Sequence, residues 1–291
     1  MKSYREILEN AKKGSYAIGH FNFANFEMFW GIVNAGKKLN VPVILGLAEG
    51  ERDWVGINQS VAIIKSLRED GYEVFLNADH HYSFERVKEA IDAGFDSVIY
   101  DGAKLSIEEN IRVTKQCVEY AHKIVQETGR DVMVEGELGY IGEGSNLRDE
   151  LPTGVETTSV VDAQRFVQET GVDLFAPAVG NVHGMLRPPI GETSGDFDPP
   201  LDIVRISEIA KAIPVPLVLH GGSGTPNLGD GIKAGISEVH ISTEIRKAWR
   251  DAMFKHMSEY RDDLAPYKIG KEAREAIEQV VTERLKLFSK T

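Results

Sequence analysis

The sequence predicts an α/β fold of one kind, a single (β/α)8 barrel of eight parallel strands with a helix after each. Three observations lead there. Eight short β-type runs alternate with amphipathic helical stretches from one end of the 291-residue chain to the other. No low-complexity stretch or linker divides them, so residues 1–291 read as one domain, and single barrels reach about 250 residues or more. An open doubly wound sheet is the competing architecture, but the G-x-G-x-x-G fingerprint it carries after its first strand is missing.

In chain order the runs are Ala17–Phe23, Val43–Leu47, Val74–Ala78, Ser97–Tyr100, Val132–Glu137, Leu174–Val179, Pro216–Leu219 and Val239–Ser242. The clearest helix is Ser106–Gln126, where Ile107, Ile111, Thr114, Val118, Ala121 and Val125 recur at steps of three and four and mark one face. His122 lies inside it and reads as structural. Glu272–Ser289 reads as an extra amphipathic helix, packed outside the barrel or against a partner. Two segments are too long for simple connections, the glycine-rich Gly139–Ser159 after the fifth run and Met185–Pro200 after the sixth. Both lie on the carboxyl-end side of strands, where barrel enzymes keep their chemistry, and long loops there are often lids.

Composition narrows the function classes. Apolar residues make up 42% of the chain and charged residues 27%, the balance of an ordinary globular protein. Nothing approaches the apolar run of about 18 residues that a membrane span needs, and the charged amino terminus lacks the apolar core of a secretory signal. The lone Cys117 leaves no internal disulfide, which suits a reducing compartment, and the expected address is the cytoplasm. The formal charge is −12 and the Lys and Arg residues are scattered, so neither nucleic acid nor an anionic membrane is an expected partner. An acidic protein still binds an anionic substrate where backbone N–H groups and a metal make a local positive site.

The chemistry-bearing residues sit at strand ends. His80 follows Asp79 in LNADHH, His183 lies in AVGNVHG and His220 in LVLHGGSG, all at the same barrel face. Three neutral imidazoles with one open position make a catalytic zinc site. Any one of them alone reads as a hydrogen-bonded structural residue, and the pattern by itself leaves both readings open. Gly221, Gly222, Ser223 and Gly224 after His220 form a turn whose successive N–H groups suit a phosphate nest. Ser242, Thr243 and Glu244 open a helix with capping residues at its positive end. The loops after strands seven and eight are the recurrent phosphate site of α/β barrels, although an ordinary glycine-rich turn and an ordinary cap would look the same. Asp79 is placed either to move a proton or to orient a histidine. Glu135 and Glu137 alternate on the fifth run and so face one side, as functional carboxylates or as a structural pair.

Taken together, HFNFANFE, ADH at 78–80, YDGAKLSIEENIRVTKQCVEYAH, VEGELGYIGEG, ETGVDLFAPAVGNVHG, PLVLHGGSG and AREAIEQVVTERLKLF resemble the class II fructose-bisphosphate and tagatose-bisphosphate aldolases over nearly the whole chain. The resemblance implies a (β/α)8 barrel enzyme of carbohydrate metabolism and glycolysis, cleaving a ketose phosphate, above all fructose 1,6-bisphosphate, to dihydroxyacetone phosphate and an aldehyde. It implies Zn²⁺ on His80, His183 and His220 with the Glu137 carboxylate near the metal, and Asp79 exchanging a proton at the bond made or broken. Gly184, Gly221 and Ser223, with Ser242 and Thr243, would cradle the phosphate, with a monovalent cation (Na⁺ or K⁺) near it. Glu143, on the loop after the fifth strand, is the nearest match to the carboxylate that moves the carbon-bound proton. A homodimer or homotetramer is expected.

The chain also departs from the family pattern. His81 stands where relatives have Gly, His240 takes the place of an Asn that contacts the triose, and Ser242 replaces an acidic or small residue. Arg52 and Trp54 stand where relatives have small polar residues. Metal and phosphate positions are kept while sugar contacts are not, so the alternative substrate is another phosphorylated ketose or a keto-acid. A Schiff-base aldolase would need a buried lysine, for which Lys104 is the one candidate, and a barrel that binds sugar phosphate without turning it over is the non-catalytic alternative.

Overall fold

The computed structural model describes residues 2–187 and 197–289. The barrel strands are β1 (Ile18–Asn22), β2 (Val43–Ala48), β3 (Val74–His81), β4 (Ser97–Tyr100), β5 (Met133–Leu138), β7 (Leu174–Pro177), β9 (Leu217–Leu219) and β10 (Ile236–Ile241). They close in the order β1-β10-β9-β7-β5-β4-β3-β2, every pair parallel. Each of the eight predicted runs is therefore a strand, with ends shifted by up to three residues. Two-residue strands β6 (Leu147–Arg148) and β8 (Met185–Leu186) pair with each other across the two long connections, so neither is wholly irregular. Most of the second connection, residues 188–196, lies outside the described residues, and its reading as a lid with it.

The helices are α1 (Tyr4–Gly14), α2 (Phe26–Leu39), α3 (Glu49–Val55), α4 (Ile57–Glu69), α5 (Phe84–Ala93), α6 (Ile107–Thr128), α7 (Val160–Thr170), α8 (Ile203–Ala212), α9 (Leu228–Ala234), α10 (Thr243–Glu259) and α11 (Pro266–Phe288). Their starts follow from sequence: the side chains of Asn25, Ser83, Ser106 and Ser159 each accept a hydrogen bond from a first-turn N–H, worth about 1 kcal/mol apiece. The predicted helix within Ser106–Gln126 is α6, with Ile111, Thr114, Val118 and Ala121 on its buried face and exposed His122 on the other. The carboxyl-terminal helix packs on its own chain, against α2 and α10, and is tied there by Arg284, whose Nε donates to Glu244 Oε2 at 2.7 Å.

Side-chain alternation fills the barrel in layers. At the amino-terminal end Ile18, Ile44, Phe75, Met133, Leu174 and Val218 form a dry layer, closed from below by Tyr4, Ile7, Leu8 and Ala11 of α1. Two residues further along each strand the interior turns polar: His20 bonds Asn77 (3.1 Å), Asn77 bonds Ser97 (2.7 Å), and the Tyr4 hydroxyl donates to Glu238 (2.9 Å). Gly46 makes room for the His20 ring, since a Cβ there would lie 2.1 Å from it. The next layer is the mouth. At His80 the backbone enters the left-handed region (φ 43°) and the pairing of β3 with β4 breaks between Ala78 and His81. A non-glycine residue pays roughly 1–2 kcal/mol for that conformation, and here it turns consecutive side chains apart, His80 to the mouth and His81 into the wall.

Candidate active site at the carboxyl end of the barrel

His80, His183 and His220 meet at the mouth, each offering one ring nitrogen within 4.8 Å of the others. The remaining nitrogen of each ring is already engaged. Nδ1 of His80 lies 2.9 Å from Asp101 Oδ2, Nδ1 of His183 donates to the Gly142 carbonyl (2.9 Å), and Nε2 of His220 lies 2.7 Å from Glu135 Oε1. This fixes the tautomers so that His80 Nε2, His183 Nε2 and His220 Nδ1 converge, as in carboxylate–histidine–metal arrangements. His80 and His220 come from strand ends; His183 arrives from the loop beyond β7, its backbone N–H held by the Ile141 carbonyl.

Protonation agrees with a cation site. Burial, with His80 beside it, pushes His183 down to about 4, and burial with the neighbouring His240 and His80 holds His220 well below the ordinary range, so both are neutral near pH 7. Burial also opposes charge on His80, but Asp79, Glu137 and Asp101 outweigh it and raise this imidazole well above 6.5. Positive charge is therefore favoured at His80 Nε2, as a proton or as a metal ion in its place. The residues fit a divalent metal with nitrogen preference.

Glu137 does not join that group as a fourth member. Its Oε2 stands 3.3 Å from His80 Nδ1 and 3.7 Å from His220 Nδ1, forming a second group with His80 and Asp101. Burial, with Asp101 adjacent, raises its carboxyl to about 7. Expected at the metal, Glu137 stands beside His80 and His220 without joining the three-histidine group, and its own group with His80 and Asp101 could also hold an ion. Glu135 also faces inward and was not expected as a histidine partner.

Asp79 is buried with two dissimilar oxygens. Oδ2 accepts from Asn22 Nδ2 (2.8 Å), whereas Oδ1 has no hydrogen-bond partner and faces His240 Nδ1 at 3.4 Å. Burial would raise this carboxyl, but the imidazoles of His80 and His240 hold it well below the usual range, so it is a carboxylate. His240 is stacked between His20 (centroids 3.5 Å) and His220 (4.2 Å), and its Nε2 lies 2.9 Å from Glu238 Oε1. Burial disfavours charge there too, yet Asp79 and Glu238 together raise His240 to about 10. The two carboxylates thus favour the imidazolium form of His240.

The phosphate positions come together with one correction. Gly184, Gly221, Ser223, His240, Ser242 and Thr243 line a cavity of about 370 Å³ that also reaches Asp79, His80 and His183. Gly222 does not line it, because its N–H donates to the His240 carbonyl (3.0 Å) and ties β9 to β10. Gly224 likewise spends its N–H on Glu244 Oε1 (2.9 Å), so the nest is narrower than the glycine run suggests. Gly221 has φ 63°, and a Cβ there would sit 2.2 Å from the Val182 carbonyl oxygen. Ser242 precedes α10 without capping it; the Ser223 hydroxyl accepts from the N–H groups of Ser242 (3.3 Å) and Glu244 (3.4 Å) instead. Ser242 Oγ is thereby left buried without a partner, at the positive end of a 17-residue helix, where an anion would satisfy it.

Glu143 reaches the cavity rim from the loop after β5, half exposed and paired with Lys104. That pairing and the 64% exposure of its side chain leave Lys104 unsuited to Schiff-base chemistry. Of the departures, only His240 and Ser242 line the cavity. Arg52 is buried and joins α3 to α5 through the Arg86 carbonyl (2.9 Å) and Glu89 (3.0 Å), Trp54 is exposed on the surface, and His81 is buried with neither ring nitrogen hydrogen-bonded. Sequence reasoning missed Asn22, Glu51, Asp101 and Arg246, which also line the cavity; the first three sit at or just past strand ends, the one signal that could have found them.

Comparison with known proteins agrees with this fold. The family model described as fructose-bisphosphate aldolase class-II matches residues 2–291. The fructose-bisphosphate aldolases of Staphylococcus epidermidis and Geobacillus stearothermophilus are each 36% identical over 292 positions, covering 98% of this chain and 96% of theirs. The crystal structure of the YdjI aldolase from Escherichia coli K12 superposes with a TM-score of 0.80 at 30% identity, covering 98% of this chain and 96% of that one. The chain belongs to the class II fructose-bisphosphate aldolase family, lyases that act on sugar phosphates and generally depend on a metal.

Proposed function

We propose that the protein is a zinc-dependent aldolase that reversibly cleaves a ketose bearing a phosphate on C1, giving dihydroxyacetone phosphate and an aldehyde. Fructose bisphosphate is the substrate that the relatives' names print. The observation that carries the reading is the convergence of three tautomer-fixed histidines beside the unpartnered Oδ1 of Asp79. His80, His183 and His220 would hold the metal. When bound, zinc supplies Lewis-acid polarisation of the ketose carbonyl and a sink for the electrons released from the breaking bond. Asp79 Oδ1 takes the proton of the hydroxyl on the carbon that becomes the aldehyde. Asn22, holding Oδ2, keeps that oxygen aimed at the substrate. His240, charged and fixed between Asp79 and Glu238, keeps Asp79 ionised and offers an N–H to the triose oxygens. Ser242 Oγ, with the backbone around Gly184, Gly221, Ser223 and Thr243, takes the phosphate, where a monovalent cation can also neutralise charge. Glu143 moves the carbon-bound proton once the loop after β5 closes inward.

The test is release of dihydroxyacetone phosphate from fructose and tagatose bisphosphates by metal-stripped and zinc-reloaded protein. Activity should vanish on stripping and return with Zn²⁺. Full turnover by stripped protein, or borohydride trapping of substrate on Lys104, would refute it.

A further inference from the structure

Tyr4 and His20, which the steps above leave unused, lie buried in the polar layer beneath the mouth, and both bear on His240. Tyr4 rises from α1, the helix that closes the amino-terminal end of the barrel, and its ring packs edge-on against Phe75 (centroids 5.4 Å). Its hydroxyl donates to Glu238 Oε2 (2.9 Å), and Glu238 Oε1 lies 2.9 Å from His240 Nε2. Burial, with Glu238 beside it, raises the phenol well above its ordinary range, so Tyr4 remains a donor. Glu238 and His240 stand two residues apart on β10 and therefore project to the same side of the sheet. At the far end of this chain of contacts, His240 Nδ1 faces Asp79 Oδ1 at 3.4 Å.

The neighbours of the His240 ring decide how it is turned. His20 lies on one face with the ring planes 4° apart, and His220 on the other with the planes 18° apart. Burial, with His240 against it, pushes His20 down to about 3, so it stacks as a neutral ring. Two flat faces stop the imidazole from tilting. They leave open a half-turn about its Cβ–Cγ bond, which exchanges Nδ1 with Cδ2 and Nε2 with Cε1. The flipped ring would turn carbon toward both Glu238 and Asp79. Glu238 Oε1 disfavours that flip, because a carboxylate oxygen bonds an imidazole N–H strongly. Tyr4 holds the other oxygen of Glu238, and with it the direction in which Oε1 points.

We propose that Tyr4 is a positioning residue for the reaction, its hydroxyl setting Glu238 and Glu238 setting His240 so that Nδ1 meets Asp79 at the opposite end of the barrel. The inference rests on the aldolase reading given above. It is tested by Tyr4→Phe, which deletes one hydroxyl and keeps the ring packed on Phe75, made in the wild-type chain and in His240→Asn. In the zinc-loaded protein, kcat/KM on fructose 1,6-bisphosphate should fall about 2–10-fold in the first background, the worth of one hydrogen bond. It should stay unchanged in the second, where the imidazole is gone. A role in packing alone would lower it by the same factor in both. The proton spectrum adds a readout that needs no turnover, since an imidazole N–H bonded to a carboxylate resonates downfield of the amides. Tyr4→Phe should shift the resonance that His240→Asn removes. Where Tyr4→Phe fails to fold, Glu238→Gln in the same two backgrounds decides by the same comparison, with the loss confined to the chain that keeps His240. Equal losses in both backgrounds, or a resonance that stays in place, overturns the proposal and leaves the aldolase reading intact. Absence of cleavage by the wild-type protein removes both.

Discussion

Glu135 offers the sharpest separation of a positioning role from a stabilising one. Its side chain is fully buried, its Oε1 is 2.7 Å from His220 Nε2, and its Oε2 has no hydrogen-bond partner. Burial raises this carboxyl well above its ordinary range, with Glu238 and Glu137 adding to the effect against His240. For His220 to present the lone pair of Nδ1 at the shared centre, its Nε2 must carry the proton and Glu135 must accept it. Glu135→Leu keeps a side chain of similar size and removes the acceptor. Loss of a partner that orients a metal-bound histidine typically costs 10–100-fold in metal affinity, about 1.4–2.7 kcal/mol. The metal-free fold should not weaken comparably, because the substitution also removes a buried carboxyl with one unsatisfied oxygen. Competition against a chelator of known zinc affinity gives the first quantity, and calorimetric melting in excess chelator gives the second. Zinc affinity equal to wild type, or a fall in metal-free stability matching the whole loss, would refute the argument.

Two further outcomes follow from the neighbouring residues. Asp79→Ala should lower kcat by about 10²–10⁴-fold, the usual span of positioned acid–base catalysis, with zinc content measured by atomic emission nearly unchanged; metal lost in step with activity would make Asp79 a support for His80 instead. His240 is raised to about 10, so its conjugate acid persists through neutrality and is lost only as pH rises through that value. The pH profile of kcat/KM should therefore show no neutral inflection from His240 and an alkaline decline that His240→Asn abolishes, whereas a neutral inflection that vanishes in the variant would contradict the assignment.

The legible parts of this protein are those whose signal is local. The strand runs and the buried face of α6, recurring at steps of three and four, are written within a few residues, and both reappear in the structure. His80, His183 and His220 were visible because each closes a strand or its exit loop, and barrel geometry brings such positions to one face. What escaped is non-local or conformational. Glu51 and Arg246 are 195 residues apart and meet only because β10 closes onto β1 and β1 onto β2. Ser223 caps a helix that is not its own, so Ser242 looked like a cap and Gly222 like a phosphate contact, when closure of β9 on β10 assigns both differently. The left-handed turn at His80, which separates the roles of two adjacent histidines, has no glycine to announce it.

Zinc K-edge absorption of the reloaded wild-type protein addresses the three-histidine centre most directly. The expected result is one zinc per chain with three imidazole nitrogens at about 2.0–2.1 Å and one exchangeable light-atom ligand, reduced to two imidazoles in His183→Ala. A sulfur shell, an all-oxygen shell, or a spectrum unaltered by His183→Ala would contradict it.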